Sequence, residues 1–362
     1  MATYTAAQMN GAGVQGETIS GSTLFMFNNP GGSSYFTIET VQDRTGSFVG
    51  KQATTSGSWV EVTTGMGVVN SQYFAAAVVP PGTSSVMLTP ASPVTGSNYN
   101  FKGTGAFTMT TFTPAALFTG GEKGAWFDAS DLSTLFQNVA GTVPVTAVGQ
   151  FVGKWLDKSG NGNHAVAAAD DTTRPTYQVD TEGNPNITFI KSPASVLLTP
   201  AVDFTGTAVM TVCAGLNPTD QSSAGIAVSL SSNPTVSTGT FIIGAPSSTA
   251  DHSIYLRGTA TLIARVANVV DGDDIITALL DISQATKELE LIPRLNYVEL
   301  SGAQIAWTGS DAGTGTFGNH PIYLGSSATP YGGKIYQLIV RGARTSAAGI
   351  YQMEAFTDAK LD

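Results

Sequence analysis

No apolar stretch in this chain runs for long. Thr23-Leu-Phe-Met-Phe27 ends in Asn28-Asn-Pro-Gly-Gly32, and the strand candidate Tyr73–Val79 is closed by Pro80-Pro81-Gly82. Tyr35-Phe-Thr-Ile-Glu-Thr-Val41 alternates, with Tyr35, Thr37, Glu39 and Val41 on one face and Phe36, Ile38 and Thr40 on the other. Short runs of period two between turn-forming residues specify strands and hairpins rather than helices. With 41 Gly residues to supply tight turns, the expected class is all-β.

A length of 362 residues suits two domains, and 42% hydrophobic residues suffice for real cores. Only 12% of residues are charged. Residues 1–114 hold seven of them, Glu17, Glu39, Asp43, Arg44, Lys51, Glu61 and Lys102, and the other 35 follow. That shift predicts a boundary near Thr113-Pro114, with a β-module at 1–114 and a second β domain at 115–362. The first module has no His and only isolated acids, which fits attachment or assembly better than catalysis.

A net charge of −10 and no basic stripe argue against nucleic acid or an anionic membrane as partner. No segment reaches the ~18 apolar residues of a membrane-inserted helix. The start, Met-Ala-Thr-Tyr-Thr-Ala-Ala-Gln-Met-Asn, has neither the basic nor the apolar region of a secretory signal, so synthesis in a cytoplasm without a signal peptide is expected. The single cysteine, Cys213, sits in Ala208-Val-Met-Thr-Val-Cys213 and reads as a small buried hydrophobe.

Strands are expected throughout the second half, among them Thr207–Leu216, Ser253–Leu256, Asp274–Ile282, Pro321–Leu324 and Lys334–Arg341. Two segments read as helical: Ser130–Phe136, with Ser130 as N-cap, and a terminal helix capped by Ser346 that carries Ile350, Met353 and Phe356 and covers a sheet edge.

The densest motif is Asp157-Lys-Ser-Gly-Asn-Gly-Asn-His-Ala165, directly after the apolar run Phe151–Leu156. Asp, Ser, Gly and Asn at this spacing make a compact turn through positive-φ residues and side chain–backbone bonds. The motif resembles the D-x-S-G-N-G-N-H signature of concanavalin A-like, laminin-G-like jelly-roll domains. Flanking matches are Ala125-Trp-Phe-Asp-Ala-Ser-Asp-Leu132, Arg174-Pro175-x-Tyr177, Ile322-Tyr-Leu-Gly325 and Gly333-Lys-Ile-Tyr-x-Leu-Ile-Val340. The resemblance covers roughly residues 122–360 and implies a jelly-roll β-sandwich with a short C-terminal helix. Such domains host lectins, glycosidases and structural modules alike. They are frequent on tailed-phage particles, which implies a protein of the virion surface, as capsid decoration, head fibre or tail component. Expected partners are other virion proteins, further copies in a homo-oligomer, and host surface glycans.

Asp157, Ser159 and Asn161 also fall at positions 1, 3 and 5 of a calcium loop, but position 12 is Ala168. Asp271, Asp273 and Asp274 form a second candidate calcium loop. A self-satisfied turn and a solvated hairpin tip are the preferred readings of the two. Glu288 and Glu290 share a face if their segment is extended, a faint echo of a glycosidase strand. For glycan binding, Trp307, Asn319, His320, Tyr323 and Tyr331 supply aromatic platforms and polar rims. The expectation is a non-enzymatic structural and recognition protein. A glycan depolymerase or a bacterial carbohydrate-binding adhesin is the alternative.

Overall fold

The computed structural model describes residues 112–232, 238–246, 251–266, 272–346 and 349–361 with their side chains, and otherwise only the backbone of strands and of the last helix. The chain divides into two compact units, Met1–Thr113 with Ser346–Gln352 and Pro114–Thr345 with Met353–Asp362.

The first unit contains β1 (Ala2–Thr5), β2 (Gly13–Val14), β3 (Thr18–Ile19), β4 (Ser22–Met26), β5 (Ser34–Thr40), β6 (Phe48–Ala53), β7 (Trp59–Val62), β8 (Gly65–Val69), β9 (Gln72–Val79), β10 (Ser85–Pro90), β11 (Tyr99–Gly103) and β12 (Ala106–Met109). Antiparallel ladders join them in the orders β3-β4-β10-β6-β7 and β2-β11-β5-β9-β8, and β1 pairs with β12.

The second unit is a sandwich of two antiparallel sheets. Its strands are β13 (Gly124–Asp128), β14 (Leu135–Phe136), β15 (Lys154–Trp155), β16 (Ala165–Val166), β17 (Thr176–Val179), β18 (Pro185–Phe189), β19 (Leu197–Asp203), β20 (Val209–Asn217), β21 (Ile226–Leu230), β22 (Thr240–Gly244), β23 (Asp251–Arg257), β24 (Thr261–Ala267), β25 (Asp274–Asp281), β26 (Leu291–Leu295), β27 (Val298–Glu299), β28 (Ile305–Thr308), β29 (Asn319–Leu324) and β30 (Gly333–Arg341). One sheet runs β17-β18-β30-β20-β25-β26-β27, with β13 also on β30. The other runs β14-β15-β16-β19-β29-β21-β22-β23-β24-β28.

Alternation assigns the faces. Val212, Ala214, Leu338 and Val340 of the first sheet and Phe241, Ile243, Ile254, Leu256, Ile322 and Leu324 of the second point inward into one core. Phe127 and Trp155 pack there with ring centroids 5.4 Å apart. Full burial of each such side chain contributes about 1.5–3 kcal/mol.

Both helical expectations need adjustment. Ser130–Phe136 is a single 3-10 turn, Leu132–Thr134, capped by Asp131 rather than Ser130 and followed by β14. Leu132 remains 38% exposed, so no apolar stripe exists to extend the turn. The terminal helix, Ala347–Asp358, begins where expected, with the Gly349 N–H donating to Ser346 Oγ at 3.2 Å. It covers the outer face of the central strands β20 and β30 rather than a sheet edge. Gln337 Nε2 donates to Thr357 Oγ1 at 2.7 Å, and Thr357 Oγ1 lies 3.5 Å from Cys213 Sγ. Gly215 makes this approach possible, since a Cβ there would lie 2.9 Å from the Thr357 methyl. The helix is tied to β26 by a bidentate Arg294–Glu354 pair at 2.7 and 2.9 Å, with Glu354 fully buried.

Candidate functional site

The Asp157–Ala165 motif is a pin for the first strand of the sandwich. Asp157 Oδ1 accepts the Trp126 N–H at 2.9 Å and the Ser159 N–H at 2.8 Å, and Oδ2 accepts Ser159 Oγ–H at 2.8 Å and the Asn163 N–H at 2.9 Å. The amides of Asn161 and Asn163 donate to the Gly124 carbonyl at 3.1 and 2.8 Å. His164 Nδ1 accepts the Asp157 N–H at 3.0 Å. Gly160 and Gly162 take φ of +92° and +75°, a region that penalises a Cβ. The oxygens needed for a calcium loop are therefore engaged by donors, and Asn161 presents its NH2 to the strand.

The second acidic loop is also built into the fold, although Asp271 lies outside the described residues. Asp273 Oδ1 meets Asn217 Nδ2 and Tyr336 Oη, each at 2.7 Å. Asp274 bonds His252 Nε2 at 2.9 Å across the sandwich and accepts Asn296 Nδ2–H at 2.9 Å. Among the described residues, no group of three or more His, Cys, Asp or Glu side chains is placed to hold a metal ion.

Glu288 and Glu290 do not share a strand face. Lys287–Glu290 is one helical turn, which sends positions i and i+2 to different sides: Glu288 is exposed and Glu290 is fully buried. The Ala312 N–H donates to Glu290 Oε2 at 2.9 Å, while Oε1 is buried without a partner. Burial, with the nearby charges of Asp311 and Asp281, raises this carboxyl's pKa above its ordinary value of 4.5.

The five glycan candidates do not converge. Tyr331 is fully buried, donating from its hydroxyl to the Lys334 carbonyl at 2.9 Å and packing on Phe189, so it offers no platform. Trp307 packs against the core with Lys287 Nζ 5.6 Å above its ring. It stands on the opposite side of the sheet from Tyr323, five strands away, which is about 24 Å at the usual strand spacing. His320 sits with Nε2 3.3 Å from the Thr238 carbonyl. Asn319 is exposed at the start of β29, on the outer side with Tyr323.

That outer side carries a different constellation. The ladder aligns Leu198, Tyr323, Ser229, Ile242, Tyr255 and Ile263 in one row across six strands. The adjacent row places Ile226, Gly244, Ser253 and Arg265 opposite one another. Where the rows meet, Gly244 contributes no side chain, and a hollow of about 180 Å³ opens. Ile226, Ile242, Gly244 and Ser253 line it beside Tyr255 and Arg257. This is below the ~300–1,000 Å³ of drug-sized sites.

The Ser253 hydroxyl is fully buried here and has no hydrogen-bond partner, nor does the Ser229 hydroxyl in the neighbouring row. The Arg257 guanidinium lies 5.5 Å from the Tyr255 ring, a cation–π arrangement, and burial lowers its pKa from the ordinary arginine value. The signal in the sequence was the strand Ser253-Ile-Tyr-Leu-Arg257, which alternates aromatic or polar against apolar residues.

No model of a known protein family matches the chain, and no curated protein does. Partial overlaps exist among solved structures. Domain 4 of AbnA, a GH43 extracellular arabinanase from Geobacillus stearothermophilus in complex with arabinotriose, has a TM-score of 0.41 at 13% identity, covering 67% of this chain and 99% of that one. The CBM40 of the Ruminococcus gnavus IT-sialidase, bound to α2,3 sialyllactose, has a TM-score of 0.31 at 17% identity, covering 42% and 83%. A GH54 α-L-arabinofuranosidase soaked with a cyclic sulfate inhibitor has a TM-score of 0.41 at 14% identity, covering 69% and 66%. No residue of this chain takes a role from these overlaps.

Proposed function

We propose that the second unit is a non-enzymatic carbohydrate-binding sandwich whose ligand seats on the outer face of the ten-stranded sheet. The observation that carries the reading is the buried, unpartnered Ser253 hydroxyl at the floor of a hollow walled by Tyr255. An aromatic wall beside an unsatisfied hydroxyl suits a saccharide, which offers C–H faces for stacking and hydroxyls for bonding. Among the described residues no carboxylate lines the hollow, whereas glycoside hydrolysis uses a pair of them. The test is binding to an array of defined saccharides by wild type and Tyr255→Ala. The expected result is binding that the substitution abolishes. Release of reducing ends from any bound glycan would favour the depolymerase reading instead.

The proposal extends to location: a structural and recognition protein on the exterior of a tailed-phage particle, with residues 1–114 attaching it to capsid or tail proteins and the chain acting as a homo-oligomer. This part rests on the resemblance of the Asp157–Ala165 motif and its flanks. Immunogold labelling of purified particles with an antibody against residues 122–362 tests it. Regular labelling of heads or tails supports it. Bare particles with the protein only in the lysate, or cell-wall-anchored protein without phage, would point to a free enzyme or an adhesin.

A further inference from the structure

We infer that the hollow on the outer face selects an acidic saccharide, seating its carboxylate or sulfate over Ser253 beside Arg257 and Arg265. The inference rests on the carbohydrate-binding reading above and narrows its ligand class.

Ser253 and Arg265 are direct cross-strand partners on β23 and β24. Arg265 Nε is buried and has no hydrogen-bond partner, and the same holds for Ser253 Oγ. A hydroxyl can donate or accept, but a guanidinium Nε–H can only donate. Two adjacent buried groups are thus left for an acceptor, and buried donors without one are rare in folded proteins.

The charge of the site points the same way. Arg257, one of the hollow's lining residues, is held over Tyr255 in surroundings that disfavour its ionised form. An anion placed beside it offsets the cost of burying that charge, whereas a neutral hydroxyl does so only weakly. Arg257 lines the hollow itself, whereas Arg265 and Asp251 both stand outside the lining; Arg265 is the direct cross-strand partner of Ser253, and Asp251 pairs two residues further along the ladder with Ala267. The chain's net charge of −10 does not oppose the inference at this range, because distant charges are screened beyond ~8 Å at physiological ionic strength.

The probes are polygalacturonate, its carboxyl-reduced neutral counterpart, and an array of carboxylated, sulfated and neutral oligosaccharides, read by calorimetry and array signal on the full chain. Array signal confined to acidic members is expected, with the carboxyl-reduced polymer at least about tenfold weaker than any acid it mirrors. Carboxylated against sulfated members identify which anion is taken. Affinity should fall as salt rises. Arg257→Gln and Arg265→Gln should each weaken binding about tenfold. Ser253→Ala should have a smaller effect, and Arg257→Lys should retain part of the binding. Equal binding of neutral and acidic members overturns the inference and leaves carbohydrate binding standing, while no signal from any saccharide overturns both. The comparison of acidic with neutral ligands uses wild-type protein, so the inference stays testable if a variant fails to fold.

Discussion

Asp157 offers the sharpest test of how the sandwich holds its first strand. Its carboxylate, only 8% exposed, accepts four donors: the N–H groups of Trp126, Ser159 and Asn163 and the Ser159 hydroxyl. Hydrogen bonds to a charged group contribute ~1.5–3 kcal/mol each, but they are not additive when they share an acceptor. In Asp157→Ala the Ser159 hydroxyl can turn fully to the Gly124 carbonyl, 3.4 Å away, and loop N–H groups can find water. The Trp126 N–H cannot, because its residue is buried. One stranded donor plus two or three lost charge-assisted bonds gives a loss of about 4 kcal/mol, a large share of the ~5–15 kcal/mol that holds a typical domain. Asp157→Asn keeps the shape and the Oδ1 pair but turns an NH2 toward the Asn163 N–H, for a loss of about 2 kcal/mol. Urea unfolding followed by the fluorescence of the buried Trp126 and Trp155 reads both, with an unchanged m-value. An unfolding free energy for Asp157→Ala within about 1 kcal/mol of wild type would refute the pin. So would a wild-type midpoint that rises with calcium concentration, since ligand binding to the folded state must stabilise it.

Removing Glu354 by Glu354→Ala takes the bidentate carboxylate from the buried Arg294, which keeps its bond to the Tyr297 carbonyl and the exposed Glu299 at 3.7 Å, and should cost about 3 kcal/mol, while the paired Arg294→Met/Glu354→Leu change recovers most of it in thermal unfolding. Glu290→Gln tests the sign of a raised carboxyl pKa. The folded chain binds this proton more tightly than the unfolded chain, so wild-type stability falls as pH rises above the ordinary value of 4.5. The Gln variant should therefore gain on wild type at neutral pH, and the gain should vanish below that value in a pH series of melting temperatures. Burial, reinforced by the charge of Glu354, pushes the Cys213 thiol up to about 12, so iodoacetamide at pH 8 should leave it unmodified in the native protein and label it quantitatively in urea.

Much of the fold was legible because its signals are local. The period-two runs became strands, and the Asp-x-Ser-Gly-Asn-Gly-Asn run became a turn because Gly160 and Gly162 provide the positive φ that the side-chain bonds require. The proposed binding face was hidden for a non-local reason. Tyr323, Ser229 and Tyr255 lie far apart in the chain and share a row only through the ladder register. Tyr331 illustrates the same limit, because an aromatic beside a Pro330-Tyr-Gly-Gly turn gives no sign of which side it faces until the strands on either side are paired. Glu288 and Glu290 misled for a local reason: Lys-Glu-Leu-Glu favours a helical turn, where alternation no longer means a shared face.

The ladder between β13 and β30 carries a consequence for biogenesis. Gly124 lies opposite Arg341, so the strand that the Asp157 turn pins emerges from the ribosome long before its partner. Until β30 is synthesised, β13 and the outer flank of β20 wait as open edges on an incomplete sheet, the kind of surface that invites pairing with another nascent chain. Sheet closure that depends on such distant segments is slow. The yield of soluble protein should therefore respond to translation rate and chaperone supply more strongly than its final stability suggests.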